Sequence, residues 1–148
     1  MLLGLVACTK DGVAPPKGNI HEKLKLPDAE GAIFDPANLA GRPTVVVFWR
    51  PGCPHCREEI PIVRKVCNEK GANAVAVQVS ESPASGTRAL EHSAWAGAAL
   101  IDDGTARKSL GIDKVPWTLV LRPDGTAARA FVGAQSYDTL ASAIAGAK

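Results

Sequence analysis

The sequence predicts an α/β sandwich, a central mixed β-sheet with helices packed against it. Strand-like and helix-like segments alternate from Thr44 to Ile101. A β-hairpin around Arg122-Pro123-Asp124-Gly125 and one last helix then close the chain. At 148 residues and 46% hydrophobic, the chain can bury one core without metal or disulfide staples.

Taken in order, Glu22 to Leu26 alternates charged and apolar residues, as a half-exposed strand does, and Pro27-Asp28-Ala29-Glu30-Gly31 is a turn. Ala32-Ile33-Phe34 reads as a short return strand, completing an N-terminal β-hairpin extension. Asp35 caps a helical turn with Pro36 at its first position. Thr44-Val45-Val46-Val47-Phe48-Trp49, bounded by Pro43 and Pro51, is a buried strand. A helix follows to about Lys70, then a second buried strand from Asn73 to Val79 and a helix from Ser85 to about Trp95. Ala98 to Ile101 is a short strand, Asp102-Asp103-Gly104 a turn, and a short helix runs through Leu110. Trp117 to Leu121 and Thr126 to Val132 are the hairpin strands, and Ser136 caps a final helix to about Ala145.

The amino end reads differently. Leu2 to Ala7 is apolar and ends at Cys8, and Leu5-Val6-Ala7-Cys8 resembles a bacterial lipobox, in which the cysteine is lipidated. A full signal has a basic start and ~15–30 residues in all; here seven residues precede Cys8 and no basic residue precedes Lys10. Residues 1–19 are therefore read as a truncated signal and lipobox followed by a flexible tether rich in Gly and Pro, with Cys8 the lipidation candidate. A plain apolar tail is the competing reading. Residues 20–148 form the folded domain.

Net charge is +2, with Lys and Arg scattered, which argues against a nucleic-acid partner. No stretch approaches the ~18 apolar residues of a membrane span.

Chemistry concentrates at Cys53-Pro54-His55-Cys56, where the buried strand hands over to the helix. Residues three apart on a helix share a face, so the two sulfurs can bond. The unpaired N–H groups and the positive dipole end of a helix favour a thiolate there, the setting of a reactive dithiol. Cys53, at the helix start, is expected to be exposed and to carry a lowered thiol pKa; Cys56, a turn deeper, is expected to be buried and to resolve the mixed disulfide. Pro54 lacks an N–H that would be orphaned there anyway, and His55 adds positive character beside the thiolate. Cys67 continues the apolar face of Ile60 and Val63 and reads as a buried inert thiol, with a regulatory cysteine as the alternative. His21 and His92 lie in polar surroundings and read as surface residues. Trp49 and Trp95 read as core.

Several motifs, in order, resemble the TlpA/ResA-like branch of thioredoxin-fold proteins, the tethered thiol–disulfide oxidoreductases of bacterial envelopes. They are Pro27-Asp28-Ala29-Glu30-Gly31, Gly41-Arg42-Pro43, Cys53-Pro54-His55-Cys56 with Pro61, Leu110-Gly111-Ile112, Val115-Pro116-Trp117-Thr118 and Pro123-Asp124-Gly125. The likeness covers roughly residues 20 to 146. It implies a thioredoxin-like three-layer sandwich, a redox-active Cys53–Cys56 disulfide with no other cofactor and no metal, and a Val115-Pro116 loop whose cis proline faces that disulfide. Val115 would then bind a substrate backbone, and Trp117 would either border the groove or join the core. The partners implied are protein dithiols or disulfides and a membrane or periplasmic redox partner. The protein is expected to be a monomer in the cell envelope, periplasmic or extracytoplasmic, lipid-anchored at Cys8.

The chain departs from the family twice. Pro51-Gly52 stands where the family has Trp before the first cysteine, and Val47 stands where thioredoxin has a buried acid. Proton transfer at the second thiol then falls to water or another carboxylate. Glu58 and Glu59 are the nearest, although both read as members of an exposed helix face. Relatives mostly reduce disulfides, whereas the Pro-His pair, found in DsbA-like oxidants, leans towards oxidation. The readings from other classes are a thioredoxin-fold copper chaperone, which uses a Cys pair and a distant His, and a redox-sensing lipoprotein.

Overall fold

The computed structural model describes residues 12–79 and 83–148. Cys8 and its lipobox lie outside them. Six strands and four helices follow one another as β1 (Gly12–Val13), β2 (Thr44–Trp49), α1 (Pro54–Lys70), β3 (Asn73–Gln78), α2 (Pro83–His92), β4 (Ala98–Ile101), α3 (Thr105–Ser109), β5 (Trp117–Leu121), β6 (Ala127–Val132) and α4 (Tyr137–Gly146). The sheet order is β1-β6-β5-β2-β3-β4. Strands β2, β3 and β4 are parallel, while β5, β6 and β1 add antiparallel to the other side of β2. The predicted mixed sheet is what forms.

β2 lies inside the sheet because every residue of its Val-Val-Val-Phe-Trp run is buried, as a strand covered on both faces requires. Alternation then sorts the core. Val46 and Phe48 face a cluster with Val75, Val77, Leu119 and Leu121. Val45, Val47 and Trp49 face α1, α2 and α4 through Val63, Ile60, Leu90 and Leu140. Helix α1 ends at Gly71, whose positive φ of 69° closes the last turn. Inside it, Pro61 lacks the N–H that would bond the Arg57 carbonyl.

The N-terminal part departs from the sequence reading. Glu22 to Leu26 is not a strand; His21–Leu24 is a 3-10 turn. The reason is visible in His21 and Leu24, both buried and three apart, the period of a 3-10 turn. The return strand at Ile33 shrinks to one bridge with Pro27. Part of the segment read as a tether is paired: Gly12 and Val13 join β6, and Asn19 bridges Thr126. His21 is buried rather than on the surface, at 8% exposure, because the Asp124-Gly125 turn packs over it, as Ile20 N–H donating to the Gly125 carbonyl (2.8 Å) shows. Burial holds its imidazole pKa below the usual value.

Candidate active site

At the end of β2 the chain turns through Arg50 to Gly52, the Cys53 N–H donating to the Arg50 carbonyl at 3.2 Å. Cys53 is the N-cap of α1 and Pro54 its first residue. The Cys53 sulfur accepts the Cys56 backbone N–H at 3.2 Å, taking up one of the donors a helix start leaves free. Cys53 and Cys56 form a disulfide, with Cα atoms 5.2 Å apart.

One of the two sulfurs is more enclosed than the sequence suggested. Cys56 is fully buried as expected, but Cys53 is only 6% exposed. The covering residue is remote in sequence: the Val115 carbonyl oxygen lies 3.7 Å from the Cys53 sulfur. The Val115–Pro116 peptide is cis, as the motif implied. The apolar wall around the pair is Val47, Trp49, Ile60 and Leu90, with Val115 and Trp95 against it.

A carboxylate completes the site. Glu59 is not on an exposed helix face; it is fully buried. Its Oε2 accepts the Thr118 hydroxyl at 2.9 Å, and the Gln135 backbone amide also interacts with the carboxylate, while Oε1 has no partner within hydrogen-bond distance. Burial raises its pKa to about 7. Thr118 is the cross-strand partner of Val47, so the acid arrives from the helix at the level where thioredoxin carries one on the strand. The signal was present in the sequence: Glu59 lies three residues after Cys56 and four before Val63, inside the buried stripe of α1.

The adjacent Glu58 is exposed and pairs with the likewise exposed His55, Nδ1 to Oε1 3.2 Å. Trp117 does not border the groove. It packs edge-on against Phe48, ring centroids 6.5 Å apart, in the core on the sheet face away from the dithiol. Cys67 is buried with its thiol donating to the Asn73 carbonyl at 3.5 Å, and burial raises its pKa to about 12. His92 is exposed, a ring nitrogen 2.9 Å from the Arg88 carbonyl oxygen. Trp49 is fully buried, Trp95 only half so.

A sequence model of the AhpC/TSA family matches residues 18–141. The thiol-disulfide oxidoreductase ResA of Halalkalibacterium halodurans is 26% identical over 112 residues, 73% of this chain and 64% of that protein. The soluble secreted antigen MPT53 of Mycobacterium tuberculosis is 50% identical over 36 residues, 24% of this chain. The chain thus covers about a fifth (21%) of MPT53 and just under two thirds of ResA. The crystal structure of a secreted Mycobacterium tuberculosis disulfide oxidoreductase homologous to E. coli DsbE superposes with a TM-score of 0.74 at 27% identity, over 84% of this chain and 98% of that one.

Proposed function

This chain belongs to the AhpC/TSA family, and from that premise we propose that it is a ResA-like thiol–disulfide oxidoreductase acting on protein substrates. The observation that carries the reading is the Cys53 sulfur at the start of α1, accepting the Cys56 N–H and facing the Val115 carbonyl. In the reduced protein the same N–H and the helix dipole stabilise a Cys53 thiolate. That thiolate attacks one sulfur of a substrate disulfide, and the other substrate sulfur leaves as a thiolate and is protonated. Glu59 takes the proton of Cys56, whose thiolate attacks Cys53 and releases the second substrate thiol. Two electrons pass from the dithiol to the substrate, and the reverse sequence oxidises a substrate dithiol. A buried proton acceptor with a pKa of about 7, one helical turn after the resolving cysteine, is matched to that step near neutral pH. The Val115 backbone receives the substrate chain as an added strand.

The disulfide is the whole redox apparatus in this reading, with no metal or organic cofactor. The secreted relatives and the Leu5-Val6-Ala7-Cys8 sequence support placement outside the cytoplasm, with Cys8 as lipid anchor. The protein acts as a monomer, served by a membrane or periplasmic redox partner.

The Pro54-His55 pair leans the couple towards oxidation. Titration of the Cys53–Cys56 couple against glutathione should give a single two-electron transition above roughly −220 mV. A value near the roughly −270 mV of thioredoxin would reverse the direction and assign a reductase. No reversible two-electron transition at all would overturn the function.

A further inference from the structure

A cleft of about 900 Å³ opens at the β4 edge of the sheet, between β4, α2 and the turn that Pro27 and Ile33 close. It shares Leu90 and Trp95 with the apolar wall of the dithiol, but no step of the exchange passes through it. Its apolar wall is Phe34, Leu90 and Trp95, and Ile33 stands at its lip. Ile33 is 64% exposed, the most exposed large apolar side chain among the described residues. At the lip of the cleft it carries that apolar wall out to the surface.

The backbone along this wall is directional. Asp102 N–H donates inward to the Gln78 carbonyl at 2.9 Å, whereas Ile101 N–H donates outward to the Pro27 carbonyl at 2.8 Å. With a period of two, the N–H and C=O of Ala99 also point outward, into the cleft. The chain's own turn therefore covers one step of the edge and leaves the next step open. An edge of this kind takes an extended peptide by main-chain hydrogen bonds.

Charge narrows the occupant. Asp28, Glu30, Asp35 and Glu91 line the cleft, and among the described residues no Lys, Arg or His does. Glu30 and Glu91 are exposed and in no ion pair among the described residues. This is an anionic mouth on a chain whose net charge is +2. We propose that the cleft is a docking site for an extended segment of a partner protein that carries Lys or Arg beside apolar residues and adds to β4 at Ala99.

The test titrates the intact oxidised protein with a short capped peptide alternating leucine and lysine, followed by amide and indole NMR shifts. Saturable shifts are expected at Ala98 to Ile101, at Ile33 and at the Trp95 indole, weakening with salt. The peptide with glutamate in place of lysine should bind at least about tenfold more weakly. So should the lysine peptide N-methylated on alternate amides, which cannot pair with the edge. In the protein, Ala99→Pro removes the outward N–H at a place where an edge strand tolerates proline, and Glu30→Lys with Glu91→Lys reverses the mouth; each should cost at least about tenfold in affinity. The double lysine variant, both sites on the surface, stands as the test if Ala99→Pro does not fold. Absence of saturable binding, equal binding of the glutamate peptide, or indifference to N-methylation would overturn the proposal. So would butylammonium giving the same shifts with the peptide binding no tighter.

Discussion

Helix α1 carries cysteines at both ends, and the two ends make opposite chemistry from one side chain. At the N-terminus the Cys53 sulfur receives a backbone N–H and sits on the positive end of the dipole. In the last turn the Cys67 thiol donates to the Asn73 carbonyl, and burial, opposed only in part by a Val45 backbone contact, raises its pKa to about 12. Exposure alone does not separate them, since Cys53 is 6% and Cys67 3% exposed. What separates them is the helix end: Cys53 caps the positive end of the dipole and takes a first-turn N–H, whereas Cys67 lies in the last turn, towards the negative end.

The largest effect expected from this contrast is in alkylation. A thiol of pKa about 12 is ionised to about one part in 10⁵ at pH 7. Iodoacetamide added to the reduced native protein should modify Cys53 rapidly and reach Cys67 only after denaturation, as peptide mass mapping would show. Labelling of Cys67 within about tenfold of the Cys53 rate would break the comparison.

A second effect concerns the acid between the two ends. Glu59 holds its proton more tightly in the folded protein than in the unfolded chain. Its contribution to stability is therefore full below pH 4.5 and falls as pH rises to about 7, by up to about 3 kcal/mol for a shift of this size. Glu59→Gln retains a partner for Thr118 but no charge. Urea denaturation should show the variant gaining on the parent by about 2 to 3 kcal/mol between pH 4.5 and pH 8. The release step of exchange should slow by about 100-fold and lose its ionisation near pH 7. A parent and variant with parallel stability profiles would remove Glu59 from the mechanism.

The smallest effect is at His55. Its partner is Glu58, and both side chains are largely exposed, so the pair is worth roughly 0–1 kcal/mol. His55→Pro should make the couple more reducing by on the order of 20 mV. A shift above about 60 mV, more than such a pair can supply, would mean that the imidazole acts on the thiolate directly.

The sequence made the centre of the molecule legible and its periphery much less so. Thr44–Trp49 and α1 announce themselves through an unbroken apolar run, a capping cysteine, Pro54 and Gly71. Periodicity alone placed Cys67 in the core, and the same stripe contains Glu59; polarity, a weaker guide than position, pointed the wrong way. Lys23-Leu24-Lys25-Leu26 alternates like a strand, yet His21 and Leu24 are the residues the turn buries, and their spacing of three is that of a 3-10 turn. The enclosure of Cys53 by Val115, and of His21 by the Asp124-Gly125 turn, depends on contacts across long stretches of chain. No local pattern encodes these.

The division of labour between Cys53 and Cys56 is tested most directly by trapping. Cys56→Ala, reduced and mixed with a model protein disulfide, should accumulate a mixed disulfide that mass mapping places on Cys53, and the further change Cys53→Ser should abolish it. Undiminished turnover by Cys56→Ala, or an adduct on Cys67, would contradict the account.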